Sequence, residues 1–256
     1  MSTTTYLQVV NQVLRELNEV VLTSSTFASA VNIQAYVKDC VVRALYDINS
    51  QHYKWPFLAA STSTEPHLGN TYVDVSQGTR WYLLKTGSAD VDNDYAYVDW
   101  DTFVLTTEGI AGETTPYTIT NLVPITLEEW ERWRSETEAQ DEANTQAYGV
   151  PKFVIKNTDG RRFGLSPIPK QGYRIYFYAW NQITVPTLHS STFQFQEQYI
   201  PALLSRTRYY VWQYKGDYNN AQLAENDWKF QMRRMREQLL ETKPVTKFTD
   251  TRRIFI

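Results

Sequence analysis

The sequence predicts an α+β fold. A bundle of about four long helices is drawn from the N- and C-terminal segments, an antiparallel β-sandwich or barrel domain is inserted between them, and an extended tail closes the chain. Three observations carry this reading. Near both ends, apolar residues recur at spacings of three and four, the period of helices with one buried face. The middle is a series of short runs rich in Val, Tyr, Thr and Leu, separated by Gly, Asp and Asn, as in strands joined by turns. The last fourteen residues, KPVTKFTDTRRIFI, fit neither pattern. The expected division is 1–58 with 194–242 as a helical domain, 59–193 as the inserted β domain, and 243–256 as the tail.

The first helix is expected over 5–21, where Tyr6, Val10, Val13, Leu14 and Leu17 form one stripe. The second is expected over 29–50, with Ile33, Val37, Cys40, Val41, Ala44, Leu45 and Ile48. The link LTSSTFASA is rich in Ser and Thr, which favour caps and turns over helix interiors. Trp55-Pro56 ends helical sequence, because a residue before proline is pushed out of the α region.

Antiparallel strands are expected at 70–75, 80–85, 95–98, 101–107 and 116–120, and again at 151–156, 161–167 and 173–180. Asp159-Gly160 marks a hairpin between two of them. A short helix near 127–140 interrupts the series, opened by Thr126 and Glu129 at capping-box spacing. Helices are expected again over 198–214 and 217–242. Gly216 serves as the C-terminal stop and Asp217 as the next N-cap. In the last helix Tyr218, Ala221, Ala224, Trp228, Met232, Met235 and Leu239 keep the helical spacing, and Pro244 ends it. Trp228, Met232, Met235 and Arg236 are expected at an interface of a bundle or ring.

Composition narrows the function classes. With 25 Lys and Arg against 28 Asp and Glu, the net charge is −3, without the basic surplus of a phosphate-binding nucleic-acid protein. A single cysteine excludes an intramolecular disulfide, and Cys40 lies on an apolar stripe, as a small core residue would. MSTTTYLQ lacks the basic and apolar regions of a secretory leader. No apolar run approaches the roughly 20 residues of a membrane span.

Chemistry is sparse. His52, His67 and His189 stand apart from one another and from any ligand pair. Hydrolase-elbow, phosphate-loop and dinucleotide motifs are missing from the sequence. Asp90, Asp92 and Asp94 begin like a calcium loop, but Tyr95 stands where glycine is needed and Asp101 where a bidentate Glu belongs, so a solvated acidic turn is expected. No catalytic residue, cofactor or metal is expected. A stacking platform of Trp81, Tyr95, Tyr97 and Trp100 would suit another reading, a β-sandwich ligand-binding module that recognises a surface ligand.

TYLQVVNQVLRELNEVVLTSSTFASA, the long second helix, QHYKWPF, and later VPKFVIKNTDGRRFGLSPIPKQGYRIYFYAW together resemble the head-to-tail adaptors of short-tailed phages, the tail tubular protein A or gatekeeper family. The resemblance implies a non-enzymatic virion protein of the tail or neck, made in the bacterial host cytoplasm. It implies a dodecameric ring joining the portal protein to the tail nozzle protein, with viral DNA passing through its lumen without sequence-specific binding. It also implies that the tail docks into the portal through Lys247, Phe248, Arg252, Arg253, Ile254, Phe255 and Ile256. The long β region leaves room for contacts with tail fibres. Burying each apolar end residue of the tail would contribute roughly 1.5–3 kcal/mol before ordering costs.

Overall fold

In the computed structural model, which describes residues 2–63, 65–84, 95–106, 119–137, 148–158 and 160–240 (133–137 as backbone only), Thr5 and Gln8 close a capping box. Gln8 Oε1 accepts from the Thr5 amide at 2.7 Å, and Thr5 Oγ1 accepts from the Gln8 amide at 3.3 Å. Helix α1, Tyr6–Glu16, starts there and stops five residues short of the expected end. Asn18 adopts a left-handed φ of 56°. The amides of Asn18 and Glu19 then fold back onto the carbonyls of Arg15 and Leu14 at 3.1 and 2.9 Å, a Schellman closure. Helix α2 is Asn32–Gln51. A short helix α3, Leu127–Thr137, is opened by the capping box read from the sequence: Thr126 N donates to Glu129 Oε2 at 2.9 Å and Glu129 N to Thr126 Oγ1 at 3.2 Å.

Helices α4, Ile200–Lys215, and α5, Tyr218–Leu239, form a hairpin. Gly216 joins them with φ 74°, and the Asp217 side chain accepts from Asn220 N at 3.1 Å as the N-cap of α5. The glycine stop and aspartate restart expected from the sequence are both present.

The chain divides into two compact units, Met1–Ile48 with Val185–Ile256, and Asn49–Thr184. The boundaries fall at 48/49 and 184/185 rather than at 58/59 and 193/194. The segment 186–193 works for the first unit. The amides of Ser2, Tyr6 and Leu7 donate to the carbonyls of Phe193, Ser191 and His189 at 3.2, 2.8 and 3.1 Å, and Thr5 bridges Thr192. Glu197 then gathers the N-terminal arm. Its carboxylate accepts from the amides of Thr3 and Thr4 at 2.9 and 3.1 Å and from the hydroxyls of Ser2, Thr3 and Thr4. Led by the Thr4 hydroxyl, these donors hold the Glu197 pKa down at about 2.

In the first unit, Val9, Val10, Val13 and Leu14 of α1 are buried, as are Val37, Val41, Ala44, Leu45 and Ile48 of α2 and Leu203 and Val211 of α4. The sequence halves are joined by charge as well. Glu16 accepts both prongs of Arg208 at 2.7 and 2.5 Å, Glu19 lies 3.4 Å from Lys215, and Asp47 accepts from Arg206 at 2.5 Å.

In the second unit, β1 (Thr71–Val75), β10 (Tyr173–Asn181), β3 (Tyr95–Thr106) and β4 (Ile119–Asn121) form one sheet in that order. A second sheet runs β2 (Trp81–Leu83), β8 (Arg162–Ser166), β7 (Phe153–Lys156), β5 (Val123–Thr126). Ile175, Phe177 and Ala179 of β10 share one core with Phe103 and Leu105 of β3, Val154 of β7, and Phe163 and Leu165 of β8. A small third sheet pairs β6 (Tyr148–Gly149) with β9 (Ile168–Pro169).

Three strand expectations need correction. Residues 95–98 and 101–107 lie largely in one long strand, because the polar stretch between them bulges without leaving its neighbour. Thr102 Oγ1 donates to Asp99 O at 2.6 Å and accepts from Tyr178 N at 3.1 Å, across the register shift with β10. Strand β5 was not expected. Finally, β5 pairs in parallel with β7, and β6 in parallel with β9, where only antiparallel pairing was expected.

Two predictions follow from this packing. A Cβ on Gly69 would lie 2.6 Å from the Phe177 backbone nitrogen, which a core strand cannot yield. Gly69→Ala is therefore expected to destabilise the protein by about 1–3 kcal/mol, measured by urea unfolding. Glu197→Gln is expected to speed hydrogen exchange at the amides of Thr3, Thr4 and Tyr6 while α5 stays protected. In the parent protein the same arm should be held above pH 4.5, the ordinary value for this carboxyl, and released as pH falls towards about 2.

Candidate functional site

The histidine and cysteine side chains among the described residues are dispersed. No group of three or more His, Cys, Asp or Glu side chains is placed to hold a metal there. His67 Nδ1 sits 3.4 Å from Glu65, while His52 stacks on Tyr53 and His189 lies edge-on to Phe27. Cys40 is fully buried, and burial pushes its thiol up to about 11, which leaves it unreactive at neutral pH. The incipient calcium loop at 90–94 lies outside the described residues. No described helix is long and apolar enough to cross a membrane.

The aromatic platform does not assemble as one surface. Trp81 meets Trp130 edge-on at 5.9 Å, and Tyr95 meets Phe177 edge-on at 6.0 Å. Tyr97 packs between Tyr53 and Trp180, and Trp100 stacks on Phe103 at 5.3 Å. All four are half-buried, each spent on a different neighbour. Lys54 lies over the rings of Tyr97 and Trp180 and pairs with Asp99 at 2.7 Å, so this aromatic cluster already holds a cation.

The expected interface residues divide. Trp228, Met232 and Met235 are buried within the protein's own helices, and Arg236 is exposed. Trp228 is covered by Arg206, whose guanidinium carbon stands 4.4 Å from the indole centroid. The same guanidinium lies 4.6 and 4.9 Å from the rings of Tyr209 and Tyr210 and donates to Asp47 and to the Tyr210 hydroxyl. These three apolar residues hold the bundle and leave the outer surface to others. The tail residues Lys247, Phe248, Arg252, Arg253, Ile254, Phe255 and Ile256 lie outside the described residues.

What the periodicity missed is a second apolar face on α5. Leu223 and Phe230, two turns apart and opposite the buried stripe, are 62% and 65% exposed. Tyr46 on α2 is 54% exposed. A third cluster sits where α1 and α4 end. Val20, Val31, Tyr214 and Tyr218 are all exposed. Gln34 donates to Val20 O at 2.9 Å, Tyr36 stacks on Tyr214 at 4.2 Å, and Lys215 reaches Glu19, which brings these side chains to one end of the unit. Apolar side chains grouped like this on a surface mark contacts with other molecules. Among the described residues of the helical unit, the exposed apolar side chains thus gather in patches.

Comparison with known proteins agrees in kind. A family model described as SU10 adaptor protein matches residues 4–253. No curated protein matches the sequence.

The burial of Trp228 has a measurable consequence. Trp228→Ala is expected to cost about 3–5 kcal/mol of folding stability, read from thermal and urea denaturation. A variant that kept full stability and lost only association would return Trp228 to an intermolecular interface.

Proposed function

Because the chain belongs to the SU10 adaptor protein family, and is thus a phage structural adaptor of the virion neck, we propose that it acts by assembly into a ring between the portal and the tail nozzle. Family membership over 4–253 carries this reading. The exposed apolar side chains of the helical unit support it, since a helix hairpin that worked alone would have no use for Leu223, Phe230, Tyr214 and Tyr218 in water. In this reading copies of the chain join side by side through their helices, twelve to a ring, and the hole at the centre passes the genome.

The tail, residues 243–256, docks into the portal through Ile254, Phe255 and Ile256, with Lys247, Phe248, Arg252 and Arg253 contributing. Each tail adds a modest contact, and ring symmetry multiplies them into an avid joint. A net charge of −3 suits a channel wall that does not grip phosphates. The β unit is left free for tail-nozzle or fibre contacts.

Mixing the purified chain with the portal ring of its phage and weighing the product by native mass spectrometry tests this directly. The expected product is one portal ring with many adaptor copies, and the mass gives their number. Removing residues 244–256 should leave the thermal unfolding curve unchanged and abolish the complex. Full binding by the truncated chain would overturn the role of the tail.

A further inference from the structure

Two exposed helix faces of the first unit are complementary to each other, though they lie on different helices. On α2, Asp39, Arg43 and Tyr46 point outward: all three are exposed, while Val37, Cys40, Val41, Ala44 and Leu45 are buried. On α5, Leu223, Phe230 and Arg234 are exposed, and Ala221, Ala224, Trp228, Met232 and Met235 are buried. The charges at the edges of these faces differ in sign and stand unmatched. Around Arg234, Arg233 pairs with Glu237 at 2.9 Å and Lys229 with Glu225 at 2.9 Å. Neither Arg234 nor Asp39 forms an ion pair with any described residue.

The spacings agree as well. Tyr46 stands about 10 Å along its helix from Asp39, and Leu223 and Phe230 are the same distance apart on theirs. If the two helices run antiparallel with Asp39 against Arg234, Tyr46 falls into the gap between Leu223 and Phe230. Arg43, whose guanidinium carbon lies 5.6 Å from the Tyr210 ring centroid of its own copy, then falls opposite Phe230, where a guanidinium over an aromatic face is favourable. The aliphatic and aromatic carbons of one face are thereby covered by the other, with a charge pair at the rim.

Resting on the ring reading above, we propose that neighbouring copies of this chain meet through these faces, the α2 face of one copy on the α5 face of the next. Both halves of the contact are supplied by a single sequence on two different helices. Such a contact is heterologous, so each copy offers one half to each neighbour and a closed ring results when the rotation per copy divides a full turn. The charge pair sets the register, and the Tyr46, Leu223 and Phe230 contact supplies the apolar burial.

A charge exchange tests this. Asp39→Arg and Arg234→Asp are made singly and together in the full chain, and ring formation is followed by native mass spectrometry with and without the portal ring. Both residues are exposed, so each variant should melt as the parent does. Each single reversal places like charges at every contact and is expected to weaken ring formation about tenfold or more, while the double variant restores it to within about threefold. Rings formed by both single variants as well as by the parent, or a double variant no better than either, would overturn the assignment of these faces while leaving the ring reading intact. A parent chain that stays monomeric both alone and with the portal would instead remove the ring itself.

Discussion

The helical unit turns on one guanidinium. Arg206 sits on α4 with 16% of its side chain exposed, pairs with Asp47 of α2, and lies over the indole of Trp228 on α5. Three helices drawn from opposite ends of the sequence thus share a single group. A charge this deep is stable only while its partner stays in place, so the position of Asp47 is tied to that of α4. The flat guanidinium also does what an ammonium could not, forking to a carboxylate and a phenol while stacking on aromatic faces. Around this point the remaining cross-links, Glu16 with Arg208 and Glu19 with Lys215, repeat one rule: acids come from the N-terminal helices and their connection, bases from α4. That asymmetry lets two distant segments recognise each other.

The same hairpin explains how a small unit keeps surface in reserve. Helix α5 packs one stripe of small and sulfur-bearing residues together with Trp228, and α4 buries even its Ser205 and Thr207. With its inward side satisfied, α5 keeps Leu223 and Phe230 outward without threatening the core. In the proposed assembly, stability and association are therefore carried by different residues of one helix. Trp228, Met232 and Met235 belong to the first task, and the faces assigned above belong to the second.

Much of this was legible from the sequence, and the misses have physical reasons. The helices of the first unit, the capping box at Thr126, and the stop and restart at Gly216 and Asp217 were legible because each rests on local spacing. The early end of α1 was not. ELNEVV continues the apolar period, but Asn18 takes a left-handed turn that few residues other than glycine accept, and Val20 and Val21 are left in solvent. The single long β3 was hidden because Asp99 and Trp100 read as a break between two runs, whereas the ladder with β10 continues on both sides of a bulge where the Thr102 hydroxyl accepts from the Tyr178 amide. Parallel pairing of β5 with β7 joins segments separated by a helix, which no local pattern encodes. Within the candidate site, one dominant stripe drew the eye to Trp228, while the second face of α5 holds only two apolar residues, too few for a period to show.

The discontinuity of the first unit also imposes an order on its making. Residues 49–184 are contiguous and hold their own core, so that core is able to close soon after they leave the ribosome. The α1–α2 hairpin emerges first but completes last, since Arg206, Arg208 and Lys215 follow only after those 136 residues. At 5–20 residues per second that wait is about 7–27 s. Through it, the hairpin carries Asp47, Glu16 and an apolar stripe without the helix that covers them. The same acids, Glu16 and Asp47, later pair with Arg208 and Arg206 of α4. The chain thus spends its first moments carrying charges whose partners have not yet been made.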